Sequence, residues 1–203
     1  EMLMKIRIIA WALIAFFLAA YAARYISNEL RSADPAATAI PMMPLEGNFR
    51  LTTNSGKLFS ADNLMDKPTV VFFGFTNCPD VCPTGLAELT ELMKLLKDSA
   101  DRLQVLFVAV DAKRDTQEVV REYLKSFDPR IIGLTGEKAD IDNAVKTFKA
   151  YYEIVPSSDS DSYSVNHTAG MYLIDQEKRF VGKLDSHEGL EVILAKLRRL
   201  LRS

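Results

Sequence analysis

The sequence predicts an α/β domain behind one N-terminal apolar helix. Three observations carry that prediction. Residues 68–76 (PTVVFFGFT) and 103–110 (LQVLFVAV) are continuous β-branched and aromatic runs, the pattern of strands buried on both faces. A stretch with apolar residues at helical spacing follows each of them. One charge-free apolar run stands near the N-terminus, and a segment without apolar period separates it from the rest.

That first run is residues 8–23 (IIAWALIAFFLAAYAA), with Lys5 and Arg7 before it and Arg24 after it. At 1.5 Å per residue it reaches roughly 24 Å, just short of a bilayer core of about 30 Å. Ile6, Tyr25 and Ile26, with snorkelling arginines, close the gap. We read residues 1–26 as an uncleaved membrane anchor. A signal peptide cut near Ala20-Tyr21-Ala22 is the alternative, disfavoured by Tyr21 and Arg24. Met2 reads as the natural start and Glu1 as an addition. Either reading exports the rest of the chain, and Lys5 and Arg7 favour a cytoplasmic N-terminus. Residues 27–44 (SNELRSADPAATAIPMMP) read as a flexible tether, stretching to roughly 60 Å. Met42 and Met43 are soft potential metal ligands, but the plainer role is linker or first core contact.

The globular domain is expected over residues 45–203. Residues 48–59 (NFRLTTNSGKLF) form a hairpin around Asn54-Ser55-Gly56. After the strand at 68–76, a helix over 84–97 sets Leu86, Leu89, Met93 and Leu96 on one face. After the strand at 103–110, a helix over 115–127 turns Val119, Val120, Tyr123, Leu124 and Phe127 inward. Residues 131–134 are a short strand and 140–152 a helix. Residues 163–174 and 179–184 form a strand pair around Asp175-Gln176-Glu177-Lys178. The last helix, over 188–201, carries Leu190, Ile193, Leu194, Leu197 and Leu201 on one stripe. Strand, helix, strand, helix, hairpin, helix is the order of a thioredoxin-like domain, here with an added N-terminal hairpin.

Composition narrows the function. A net charge of −2 argues against a nucleic-acid partner, which calls for a basic surplus. Two cysteines and two histidines mean that any site of soft ligands uses nearly all of them. Both cysteines lie in Phe75-Thr76-Asn77-Cys78-Pro79-Asp80-Val81-Cys82-Pro83, between a buried strand and a helix. α/β proteins place ligands there, and a helix N-terminus stabilises thiolates. A structural disulfide across so short a loop stabilises little. A redox dithiol and a metal site both fit the spacing, with i and i+4 sulfurs facing one way. His167 lies just before a strand in a loop that approaches the cysteine turn in thioredoxin-like domains. By spacing alone it reads as a solvated loop histidine, but two thiolates and an imidazole make a set suited to copper or zinc. His187 reads as a helix cap or surface residue.

At this point the sequence resembles the Sco/SenC family of cytochrome oxidase copper chaperones, over about residues 45 to 200. The resemblance rests on Val70 to Thr76, on Cys78-Pro79-Asp80-Val81-Cys82-Pro83, on Val110 to Thr116, and on Val165-Asn166-His167-Thr168 followed by Tyr172 to Asp175. It implies a thioredoxin fold holding one copper per chain, Cu(I) or Cu(II), through Cys78, Cys82 and His167. It implies Asp80 as a carboxylate outside the ligands or facing a partner. The copper would be delivered to, or its site prepared in, the binuclear centre of an oxidase subunit, with an upstream copper donor and a thiol reductant as further partners. The expected protein is a non-enzymatic, membrane-tethered monomer with its head in the periplasm, in preference to a mitochondrial intermembrane space. The alternative is a thiol-disulfide reductase keeping the oxidase cysteines reduced, although three residues separate these cysteines where thioredoxin-type catalysts use two. Peroxidase and sensor readings rank lower. Asn166, Ala112 and Gln117 depart from the Asp and Pro residues common in the family, and bear on which partner is served.

Overall fold

The computed structural model describes residues 2–32, 43–156, 163–185 and 188–202. Met42 and His187 lie outside them. The chain divides into two units, Glu1–Pro41 and Met42–Ser203. In the first, α1 runs over Met2–Ser32. Its window Met4–Tyr21 has mean hydropathy 1.8 and is long and apolar enough to cross a membrane. Trp11, Phe16, Phe17, Leu18 and Tyr21 are all exposed along it. Helical geometry continues past residue 26 into the expected tether.

The second unit is built on an eight-stranded sheet. Its strands are β1 (Met43–Pro44), β2 (Arg50–Thr53), β3 (Leu58–Ser60), β4 (Thr69–Gly74), β5 (Gln104–Ala109), β6 (Ile131–Thr135), β9 (Met171–Ile174) and β10 (Arg179–Leu184). Their spatial order is β1-β10-β9-β4-β5-β6-β2-β3. β4, β5 and β6 are parallel, in register Val70↔Val105↔Ile131. β9 and β10 add antiparallel to β4 as the expected strand pair. The β2–β3 hairpin adds on the far side through Thr52↔Thr135. β4 is buried at every position, and β5 at all but Gln104, which is why both read as unbroken apolar runs. The helices are α2 (Val81–Leu96), α3 (Gln117–Leu124), α4 (Lys138–Thr147) and α5 (Leu190–Leu200). Phe72, Phe73, Phe107, Leu86, Leu89 and Met93 lie at the centre of the core, each no more than 1% exposed.

Four sequence expectations change. Residues 140–152 are not one helix: α4 ends at Thr147, Lys149 takes a left-handed φ of 51°, and Tyr152–Pro156 becomes strand β7. Residues 163–174 are not one strand. Tyr163–His167 is β8, which pairs with β7 in a separate two-stranded sheet, while β9 joins the main sheet. Val119 is exposed, because the Thr116 side chain caps α3 and sets the phase that turns Val120 and Leu124 inward. Leu190, expected on the α5 stripe, is likewise exposed, at the helix's first turn.

Candidate metal centre

The site begins where β4 stops. The chain turns through Phe75, whose carbonyl accepts from the Cys78 N–H at 3.2 Å. It then enters α2 with Asp80 at the N-cap. Cys78 therefore precedes the helix and Cys82 lies in its first turn, so the sulfurs converge through a turn and not along one helix face. The Cys82 N–H, free at the helix start, donates to Cys78 Sγ at 3.4 Å. Both cysteines are free thiols; Cys78 is half-buried and Cys82 buried. Gly74 makes this possible. A Cβ there would sit 2.6 Å from Cys82 Sγ and 2.8 Å from the Phe107 ring, so only glycine lets the sulfur tuck against the end of β4.

His167 arrives from the other side of the sequence, as the last residue of β8, opposite Tyr152 of β7. Phe75 and Phe72 meet its ring edge-on, with centroids 5.8 and 6.3 Å away. Nδ1 lies 3.1 Å from the Thr168 carbonyl, which only accepts, so Nδ1 carries the proton. Nε2 is left with its lone pair, 3.4 Å from Cys82 Sγ. Burial lowers the His167 pKa against two opposing main-chain hydrogen bonds, keeping the ring neutral and ready to ligate. Burial, aided by the nearby Cys78 and Asp115, pushes the Cys82 thiol far above its usual range. In the metal-free chain Cys82 is a thiol at neutral pH, and a cation arriving there displaces its proton.

The two sulfurs and a ring nitrogen of His167 all lie within 4.8 Å of one another. An ion bonding sulfur at about 2.3 Å and nitrogen at about 2.0 Å spans donors up to roughly 4.6 Å apart. The three donors could therefore share one ion, and soft sulfur with imidazole suits a late transition metal. The fold thus brings together the three residues that the sequence picked out. Asp80 is exposed and accepts from Thr84 Oγ1 at 3.3 Å. Asn166 is exposed on the strand face opposite His167.

Sequence reasoning missed the layer that holds these ligands. Asp115 is fully buried and accepts from the Thr76 N–H at 3.1 Å and from Thr76 Oγ1 at 2.6 Å, pinning the turn before Cys78. Burial pushes its carboxyl up to about 6 despite those two donors. Asp111, also fully buried, accepts from Arg114 Nε and from Tyr163 OH at 2.8 Å. The Arg114 guanidinium lies 3.7 Å from the Tyr163 ring centroid and donates to the Tyr163 carbonyl at 3.2 Å. The loop after β5 thereby holds the start of β8. Tyr152 OH donates to Asp142 at 2.5 Å and ties β7 to α4. Beyond His167, the Thr168 N–H donates to the Tyr151 carbonyl at 3.0 Å. Asp111, Arg114 and Asp115 stand within the quoted segment 110–116, but spacing gives no sign that both carboxylates are buried.

A family model described as SCO1/SenC matches residues 37–202. The chain is 33% identical over 186 residues to an SCO2-like protein of Rickettsia felis, covering 89% of this chain and 91% of that one. It spans 66% of the length of a second relative, from Rickettsia prowazekii. A structure of Bradyrhizobium japonicum ScoI with copper bound matches with a TM-score of 0.71 and 39% identity, over 77% of this chain and 99% of that one.

Proposed function

Because the chain belongs to the SCO1/SenC family, we propose that it carries one copper ion on Cys78, Cys82 and His167, outside the cytoplasm, and hands it to an oxidase subunit. The acceptor would be the binuclear copper site of a cytochrome c oxidase, as the sequence resemblance implies. The observation that carries this reading is the convergence of two free sulfurs and a ring nitrogen whose tautomer is already set. Copper is cargo here, and a three-donor site with one half-buried sulfur suits cargo. Cys78, the more exposed sulfur, is the one an incoming thiol displaces first. Cys82, the buried sulfur, releases last. Asp80, exposed at the rim, faces the partner. The apolar window of α1 supports a membrane tether that keeps the head near its acceptor.

A second reading has its own observation. The more exposed sulfur, Cys78, receives a main-chain N–H, while Cys82 is held as a thiol behind it. That arrangement also suits a thiolate that attacks a disulfide with a resolving thiol in reserve. One experiment separates the two. The reduced, copper-loaded chain is mixed with the metal-free copper domain of an oxidase subunit, its cysteines reduced. The chaperone reading predicts that copper absorption appears in the acceptor as it fades in the donor. No copper passed in that mixture, with repair of an oxidised acceptor by the metal-free chain in a parallel one, overturns it in favour of the reductase.

A further inference from the structure

Beside the three donors, α2, α5 and the strands β9 and β10 border an open cleft of about 320 Å³. Phe72, Leu92, Met171 and Ile193, none more than 6% exposed, form its apolar floor. Asp80, Thr84 and Glu88 line it from α2, about one per turn, and Asp185 lines it from the end of β10. Val81, next to Cys82, and Ala169, two residues past His167, bring the cleft up to the donor set. Among the described residues, three carboxylates and no lysine or arginine line it. Glu88 is partly buried, and burial raises its pKa. No described hydrogen bond or ion pair reaches its carboxylate. An acid kept partly out of water without a cation is costly, and an incoming cation relieves that cost.

We propose that this cleft docks the copper acceptor through an extended segment in which lysine or arginine flanks an apolar side chain, next to the acceptor's own thiols. The inference rests on reading the chain as a copper donor. The apolar side chain covers the floor, and the cations pair with Glu88 and Asp80. The volume is near the low end for binding pockets, about 300–1,000 Å³. It suits a side chain or two of an extended segment and not a folded domain. Seated there, the segment delivers thiols beside Cys78. Two incoming thiols lose their protons as Cys78 and Cys82 regain theirs, and copper keeps its oxidation state. Charge pairing at such a rim acts chiefly on the rate of encounter.

The test uses the full reduced chain in neutral detergent and two synthetic peptides. Both carry a Cys-Gly-Gly-Gly-Cys core; one is preceded by Lys-Leu-Lys, the other by Glu-Leu-Glu. The basic peptide should take copper about tenfold faster at low salt, with the advantage shrinking in high salt. Glu88→Lys should abolish the preference, and Glu122→Lys, on the exposed face of α3, should keep it. Equal rates for the two peptides, or a preference that Glu88→Lys leaves intact, overturn the proposal. Metal-free binding keeps the two readings apart. With serine in place of cysteine, the basic peptide should shift the amide resonances of Val81, Glu88 and Ile193. Copper uptake without those shifts overturns the cleft and leaves the chaperone; the shifts without copper uptake do the reverse.

Discussion

The two halves of the metal centre are built in opposite ways. The cysteine half is local: β4, one turn and the first turn of α2 bring Cys78 and Cys82 together within five residues of sequence. The histidine half is assembled from afar. His167 reaches Cys82 only because β7 and β8 form a small sheet of their own, pinned by Asp142 on one side and by Asp111 and Arg114 on the other. A pair written in one turn is robust to distant change. A ligand carried on a hairpin depends on every contact that orients the hairpin.

Substitutions ranked by expected loss of copper affinity sharpen that contrast. Cys82→Ser removes a buried donor of the local half, and affinity should fall on the order of a thousandfold in a competition titration. Full affinity in that variant breaks the ligand scheme. Gly74→Ala keeps all three ligands but sets a methyl 2.6 Å from Cys82 Sγ. Affinity should fall roughly 100-fold, with about 1–3 kcal/mol lost from chemical unfolding. Asp115→Asn weakens the clamp on Thr76, and a loss of roughly tenfold is expected, in line with ligand-supporting groups elsewhere.

The same variant makes a pH prediction. The Asp115 carboxyl titrates near 6 in the fold and near 3.9 when unfolded. The folded state therefore holds its proton more tightly, and stability falls as pH rises from about 4 to 6, by roughly 2–3 kcal/mol at most. Metal-free Asp115→Asn should lose that component of the slope in urea melts across this range. An unchanged slope would remove Asp115 from the account. Tyr152→Phe, on the distant half, should have the smallest effect. It deletes one hydrogen bond to Asp142, costing about 1 kcal/mol, with affinity down about threefold or less.

The same division decided what the sequence could reveal. β4 and β5 were legible because burial on both faces leaves an unbroken apolar run. The cysteine turn was legible because strand, turn and helix are contiguous. The β7–β8 hairpin was not. Residues 148–152 (FKAYY) carry apolar residues that fit a helix as well as a strand, and the left-handed turn at Lys149 has no glycine to announce it. The strand at 163–174 read as continuous because nothing in its composition shows that Thr168–Gly170 changes sheets. Nothing in the sequence marks Asp111 and Asp115 as buried, since their donors, Tyr163, Arg114 and Thr76, meet them only in the folded chain.

The most direct test of the central claim is the copper stoichiometry and affinity of the reduced chain beside His167→Ala. The account predicts one tightly held copper per chain, with affinity greatly weakened in the variant while the Cys78–Cys82 pair still titrates as two free thiols. Equal affinity in the two proteins would show that the hairpin delivers no ligand, and would contradict the three-donor centre.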